Sequence, residues 1–227
     1  WTLFPHPKYS SLTGLFGRFD ELSSSGSTNV PKVLLIENGV HRIKDEDHVP
    51  EREKFGYGKV KIVKYVSIKI PISIIGESRE HCIVIAGLNM KGKKEDDINV
   101  SNLTLRGSKG YGVFGHYGAS FHLDNVSVEN SRGFGVHVSG TKRSTMKNCN
   151  VSHSERNGLW VVNVGLMTID GNGTTIHHNC TGGWTGRYGL NAYDSSSIHL
   201  ASSLTIEMIS KNNGGGGNHG GEGTIKT

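Results

Sequence analysis

INVSNLTLRGSKGYGVFGHYGAS (98–120), FHLDNVSVENSRGFGVHVSGTKR (121–143) and STMKNCNVSHSERNGLWVVNVGL (144–166) align without gaps, and each is 23 residues long. A lengthened copy follows from Met167 to Ser197, and a fifth starts at Ile198. A repeat of this size is the mark of a solenoid, in which each unit buries its apolar face only against its neighbours. Inside each unit two short runs alternate apolar with polar residues, which is strand periodicity. Leucine-rich repeats need a denser leucine pattern, and helical repeats need a period of 3.6; neither is present. The reading is an all-β, single-stranded right-handed parallel β-helix. Equivalent positions then lie one strand spacing apart, about 4.8 Å, so alignment columns are columns in space. Val100, Leu123, Met146, Ile169 and Leu200 form one inward column, and Val113, Val136, Leu159 and Leu190 another. Asn102, Asn125 and Asn148 stack at the turn between strands as a buried ladder, each amide able to bond the next.

Outward from this core the pattern loosens. PKVLLIENGVHRI (31–43) reads as strand, turn, strand, and VSIKIPISIIGESREHCIVIAG (66–87) reads likewise about a turn at Gly76. Leu12, Leu15, Phe16, Phe19 and Leu22 fall at helical spacing. A short amphipathic helix over 10–22 would cap the open end of the solenoid and block edge pairing. Residues 44–59 are charged and read as an exposed loop, and 212–223, nearly all Gly and Asn, as a flexible one. The organisation expected is one β-helix domain over 1–227: irregular rungs at 31–97, regular rungs at 98–210 and a Gly-rich segment at 211–227. No C-terminal cap is legible, so a partner, a second copy stacked there as a homo-oligomer, or further sequence is expected to cover that end.

The 32 glycines are spread over turn positions, and no apolar run is long enough to cross a bilayer, so a membrane is not an expected partner. The formal net charge is +5, which favours an anionic partner. Acidic polysaccharide is the partner expected, nucleic acid is not, and a secreted or cell-surface location suits both. Cys82, Cys149 and Cys180 match no zinc spacing, and Cys149 stands in an apolar column as a buried small hydrophobe.

The helix, the strand with ENGVHRI, the IIGES turn and the Asn-laddered rungs resemble the pectin-lyase-like β-helix superfamily over about residues 10–210. That superfamily holds lyases, hydrolases, epimerases and non-enzymes, so the likeness implies a fold rather than a reaction. The wording of the repeats is also similar to β-helix proteins of marine microalgae and their viruses, which implies no activity. One local match is sharper. Tyr111-Gly112-Val113-Phe114-Gly115-His116-Tyr117 resembles the catalytic strand of alginate C5-epimerases, Tyr-Gly-Phe-Asp-Pro-His-Asp/Glu. The resemblance implies Tyr111 and His116 as acid and base for proton removal at C5 of a uronate. The chain departs from that pattern at Phe114 for Asp, Gly115 for Pro and Tyr117 for the terminal acid, and Ser139 stands where a further Asp is expected.

The strand after each Tyr/Phe/Asn-Gly pair carries the other candidates. Its outward positions read Phe114 and His116, His137 and Ser139, Trp160 and Val162, then Asn191 and Tyr193. Aromatic faces stack on sugar rings, which makes Phe114, Trp160 and Tyr193 substrate-binding candidates, with His137 beside Tyr111 and His116 as the catalytic ones. The bland alternative is a platform covered by a long loop. Lys109, Arg132, Arg156 and Arg187 precede this strand, about one per rung, as a cation row suited to carboxylates. Asp170 and Asp194 are isolated, whereas glycosidase chemistry needs two facing carboxyls. His177 and His178 should not share an ion, because adjacent strand residues point to opposite faces. No metal or cofactor is expected; calcium has no clear ligand set. The function expected is a carbohydrate-active protein acting on or binding an acidic polysaccharide, with polyuronate lyase or C5-epimerase as the candidate activity. The alternative is a non-catalytic glycan- or protein-binding or structural module.

Overall fold

The computed structural model describes residues 1–43, 51–55, 59–63, 65–116, 118–201 and 203–227, with only the backbone described over 51–55 and 59–63. The chain winds as a right-handed parallel β-solenoid with three walls. The first wall runs Thr2–Phe4, Val33–Ile36, Ile72–Gly76, the leading halves of Asp97–Arg106 and Ser120–Glu129, Ser144–Lys147, Leu166–Asp170, Ser197–Leu200 and Thr224–Lys226. The second runs Gly39–Arg42, Cys82–Ile85, the trailing halves of the same two long strands, Asn150–Ser152, Thr175–His177 and Ser210–Lys211. The third is a separate sheet: Tyr65–Ile68, Gly87–Met90, Val113–His116, Val136–Ser139, Leu159–Val162, Tyr188–Ala192 and Gly217–Gly220.

Register confirms both apolar columns. Val100 pairs with Leu123, Leu123 with Met146, Met146 with Ile169 and Ile169 with Leu200. Val113, Val136, Leu159 and Leu190 follow one another in the third wall, and all four are fully buried. Each such side chain stabilises the stack by about 1.5–3 kcal/mol. The same crowding explains the Tyr/Phe/Asn-Gly pairs. A Cβ on Gly112 would lie 2.2 Å from Val128 Cγ1 and 2.7 Å from the Gly135 carbonyl. Gly115 leaves the space that the ring of Phe121 fills, 2.3 Å from where its Cβ would stand.

The corners are made by left-handed residues. Asn102, Asn125 and Asn148 have φ of 55°, 54° and 51°, a conformation Asn tolerates better than most residues. Asn125 Nδ2 donates to Asn102 Oδ1 at 3.0 Å, so the ladder exists, but it is half-buried rather than buried. It lies on the outside of the corner, where its amides reach water. A second such column, Gly107, Asn130, His153, His178 and Asn212, turns the chain from the second wall towards the third.

The capping helix spans Leu12–Ser24, with Ser11 accepting a hydrogen bond from the Gly14 amide at its start. It buries Leu12, Leu15, Phe16 and Phe19 in the core that also holds Val66 and Ile68, while Leu22 is half-exposed. Two loop readings need correction. Glu51–Phe55 and Lys59–Val63 form an antiparallel hairpin, with 44–50 and 56–58 lying outside the described residues. The Gly-rich tail is not a loop: Gly217–Gly220 pairs with Tyr188–Ala192, and Thr224–Lys226 with Ser197–Leu200. Ladder hydrogen bonds are made by backbone, so a strand with few side chains can still add to an existing sheet edge.

Candidate functional site

The third wall brings the aromatic candidates together and then buries them. In register, Asn89, Phe114, His137, Trp160 and Asn191 form one outward column. The Phe114 ring stacks on His116 at 4.0 Å and on His137 at 4.6 Å, and His137 stacks on Trp160 at 4.4 Å. Tyr111 and Phe134, from the preceding turns, meet His137 edge-on at 5.2 and 5.4 Å. His137 is 6% exposed, His116 7% and Tyr111 8%; Ser139, Val162 and Asn191 are buried too. Phe114 and Trp160 are half-buried, and Tyr193 alone of this set is well exposed. The expected exposed platform is therefore corrected. Large rings one rung apart cover each other, since stacking one ring removes area from two.

Burial sets the protonation of this wall. Desolvation, with His116 nearby, lowers the His137 pKa to about 3. Desolvation, then Lys91, lowers that of His116 to about 4, and its Nε2 lies 2.8 Å from Asn89 Oδ1. Both imidazoles are neutral at physiological pH. Neither nitrogen of His137 has a hydrogen-bond partner among the described residues. The Tyr111 backbone carbonyl accepts a hydrogen bond from Ser108 Oγ, and its ring takes its place in the cluster with Tyr65 and Phe134. Tyr117 lies outside the described residues.

The cation row divides in two. Arg132 N donates to the Ser108 carbonyl, which sets Arg132 beside Lys109, but Glu155 N donates to Ser131 O, so Glu155 rather than Arg156 continues that column. Arg156 falls one residue on and teams with Arg187. Both guanidiniums stand 5.4 Å from the centre of the Phe134 ring, and that of Arg187 stands 5.9 Å from Trp160. Burial, then Arg156, lowers the pKa of Arg187. No carboxylate of the described residues lies within ion-pair distance of Arg187. Lys109 and Arg132 are exposed.

The second wall holds a feature that the sequence reading passed over. A cleft of about 520 Å³ is lined by Arg79, Thr104, Arg106, Ser127, Glu129, Asn150, Thr175 and His177, among others. Thr104, Ser127, Asn150 and Thr175 are one outward column in register. Thr104 donates to the Arg79 carbonyl, and the other three side chains join Arg106 and Glu129 in a continuous array. Arg106 donates to Glu129, Ser127 to Glu129, Asn150 Nδ2 to Ser127, and Thr175 to Asn150 Oδ1, at 2.7–3.1 Å. The signal was legible in the 23-residue alignment as small polar residues at 104, 127 and 150; an insertion displaced the next one to 175. Asp170 and Asp194 are both exposed.

His177 and His178 depart from strand alternation. His178 has φ 52°, which ends the strand and swings its ring back, so the two Nδ1 atoms are 2.8 Å apart. His153, one rung earlier, stacks on His178 at 5.5 Å. The three cysteines are buried and unpaired, and burial pushes each thiol up to about 11, so they are inert at neutral pH.

Residues 86–219 match the family model described as a right handed beta helix region. No curated protein matches the chain. Among solved structures, the crystal structure of the Agl-KA catalytic domain is similar, at 15% identity and a TM-score of 0.46, over 95% of this chain. The chain spans 44% of that structure's length.

Proposed function

The chain belongs to the right-handed β-helix family, and from that premise we propose that it is a carbohydrate-active protein that binds an acidic polysaccharide on its third wall, at the corner of Arg156, Arg187, Phe134 and Trp160. The interior is filled by stacked side chains, so a ligand sits outside. One observation carries the reading: Arg187 is a half-buried guanidinium beside a second one, over aromatic rings, with no acid of the described residues paired to it. An unneutralised cation in that setting favours an anion with planar oxygens, and its fork fits a uronate carboxylate or a sulfate ester. The half-exposed Trp160 ring offers the apolar surface that a sugar face stacks on. Lys109 and Arg132 continue the positive charge two rungs further along the axis.

The resemblance to C5-epimerases puts turnover on Tyr111 and His116, with His137 beside them. All three are under a tenth exposed, whereas a base must reach the proton it removes. Binding is therefore the first claim, and polyuronate lyase or epimerase activity the second. The test is calorimetric titration with oligomers of alginate, pectate and a sulfated glycan, with Arg187→Ala alongside. Binding that falls at least about tenfold in Arg187→Ala and weakens with salt supports the proposal. Equal affinity in wild type and variant, or no binding by either, removes it. Ultraviolet absorption by unsaturated uronate, or a changed uronate ratio by NMR, reads turnover in the same samples.

A further inference from the structure

The polar array of the second wall ends at a histidine whose protonation it dictates. The Glu129 carboxylate accepts from Arg106 and from Ser127, the latter at 2.7 Å. Ser127 Oγ must then accept from Asn150 Nδ2, at 2.9 Å, which turns Asn150 Oδ1 towards His177. An amide oxygen only accepts, so His177 Nε2, 2.9 Å away, carries the proton. In neutral His177 the lone pair is then on Nδ1, and it faces His178 Nδ1 at 2.8 Å. A ring held by a second-shell acceptor on one nitrogen, with the other bare, is the form in which histidine binds metal.

The backbone adds an independent observation. In the left-handed column of this corner, Gly107, Asn130 and Asn212 are joined by His153 and His178, which hold φ 57° and 52°. His153 follows Ser152 and His178 follows His177, which are register partners, so the two rings lie on consecutive rungs. They are parallel within 6° at 5.5 Å, and the His177 ring stands at 84° and 90° to them. Three imidazoles thus meet at one solvent-facing corner, two of them on left-handed backbone.

We propose that His177, His178 and His153 form a binding site for a borderline transition metal ion of the Zn²⁺ class, with Asn150 as the positioning residue for His177. Two imidazole nitrogens on a tetrahedral zinc ion stand about 3.3 Å apart, given Zn–N bonds of about 2.0–2.1 Å. The present Nδ1 to Nδ1 contact needs to open by about half an ångström, with the ion replacing the proton that the two nitrogens share. As folded, no three donors among the described residues already surround one point. His153 and His178 are exposed, so rotation of the His153 side chain supplies the third ligand without disturbing the core.

Calorimetric titration of Zn²⁺ alone into the full chain tests this, with Co²⁺ absorption in the visible as a second readout of coordination. One equivalent per chain is expected, bound at least about tenfold more weakly by His178→Ala and by His153→Ala. Asn150→Ala should weaken binding about 10- to 100-fold while leaving all three ligands in place. Because His153 and His178 lie on the surface, those variants stay folded even if Asn150→Ala does not. Stoichiometry and affinity unchanged in either single-histidine variant would overturn the site, as would the absence of saturable binding by the wild-type chain.

Discussion

The second and third walls of the solenoid share one backbone and carry opposite surfaces. Both have outward columns in unbroken register over at least four rungs. On the third wall the outward residues are rings, and they bury one another until His137 loses water at both nitrogens. On the second they are Thr, Ser, Asn, Glu and Arg, which bond to one another or to backbone along a cleft, so that even the buried Thr104 and Ser127 hydroxyls keep partners. Outward on a strand is a direction, and exposure depends on what the neighbouring rungs place beside it.

That contrast can be broken or sharpened by measurement. The largest effect belongs to the third wall. Phe134→Ala removes a fully buried ring against which Tyr111, Trp160 and two arginines pack, and should cost about 3–5 kcal/mol in denaturant unfolding. A loss under about 1 kcal/mol would show that the ring cluster is not a packed core.

Acid should act on the same wall next. The unfolded chain takes up a proton at each histidine near 6.5, whereas folded His137 and His116 resist protonation down to about 3 and about 4. Between pH 6.5 and 4 the unfolded state therefore binds more protons, and stability falls as pH falls, by a few kcal/mol at most. His137→Phe should reduce that slope. At pH 7 it should be close to neutral, since it removes two unpaired nitrogens while keeping a ring of similar shape. An unchanged slope in this variant would place the acid sensitivity elsewhere.

On the second wall the effects are smaller. Ser127→Ala takes one hydroxyl out of the array and leaves the Asn150 amide facing water, for about 1 kcal/mol. Arg106→Gln should cost least, about 0.2–1 kcal/mol, because its pair with Glu129 is partly solvated, and salt should erase the difference. Equal costs for Phe134→Ala and Ser127→Ala would dissolve the distinction between the two walls.

The rungs were legible because the core repeats. Val113, Val136 and Leu159 occupy the same alignment position, and a register that failed to stack them would leave each face open to water. The Gly-rich tail misled because its strands are held by main-chain hydrogen bonds that no side-chain pattern announces. The cation row misled by one residue. Arg156 sits a position past Arg132, and only hydrogen-bonded register shows Glu155 in its place.

The amino-acid sequence by itself determined the solenoid, its inward columns and its left-handed corners, because burial and backbone sterics act on each rung in the same way. Tertiary structure decided which outward side chains meet solvent, which cations gather over Phe134, and that His177 turns a bare nitrogen to His178. Those outcomes depend on rotamers, insertions and single φ values, which vary from rung to rung and follow no period.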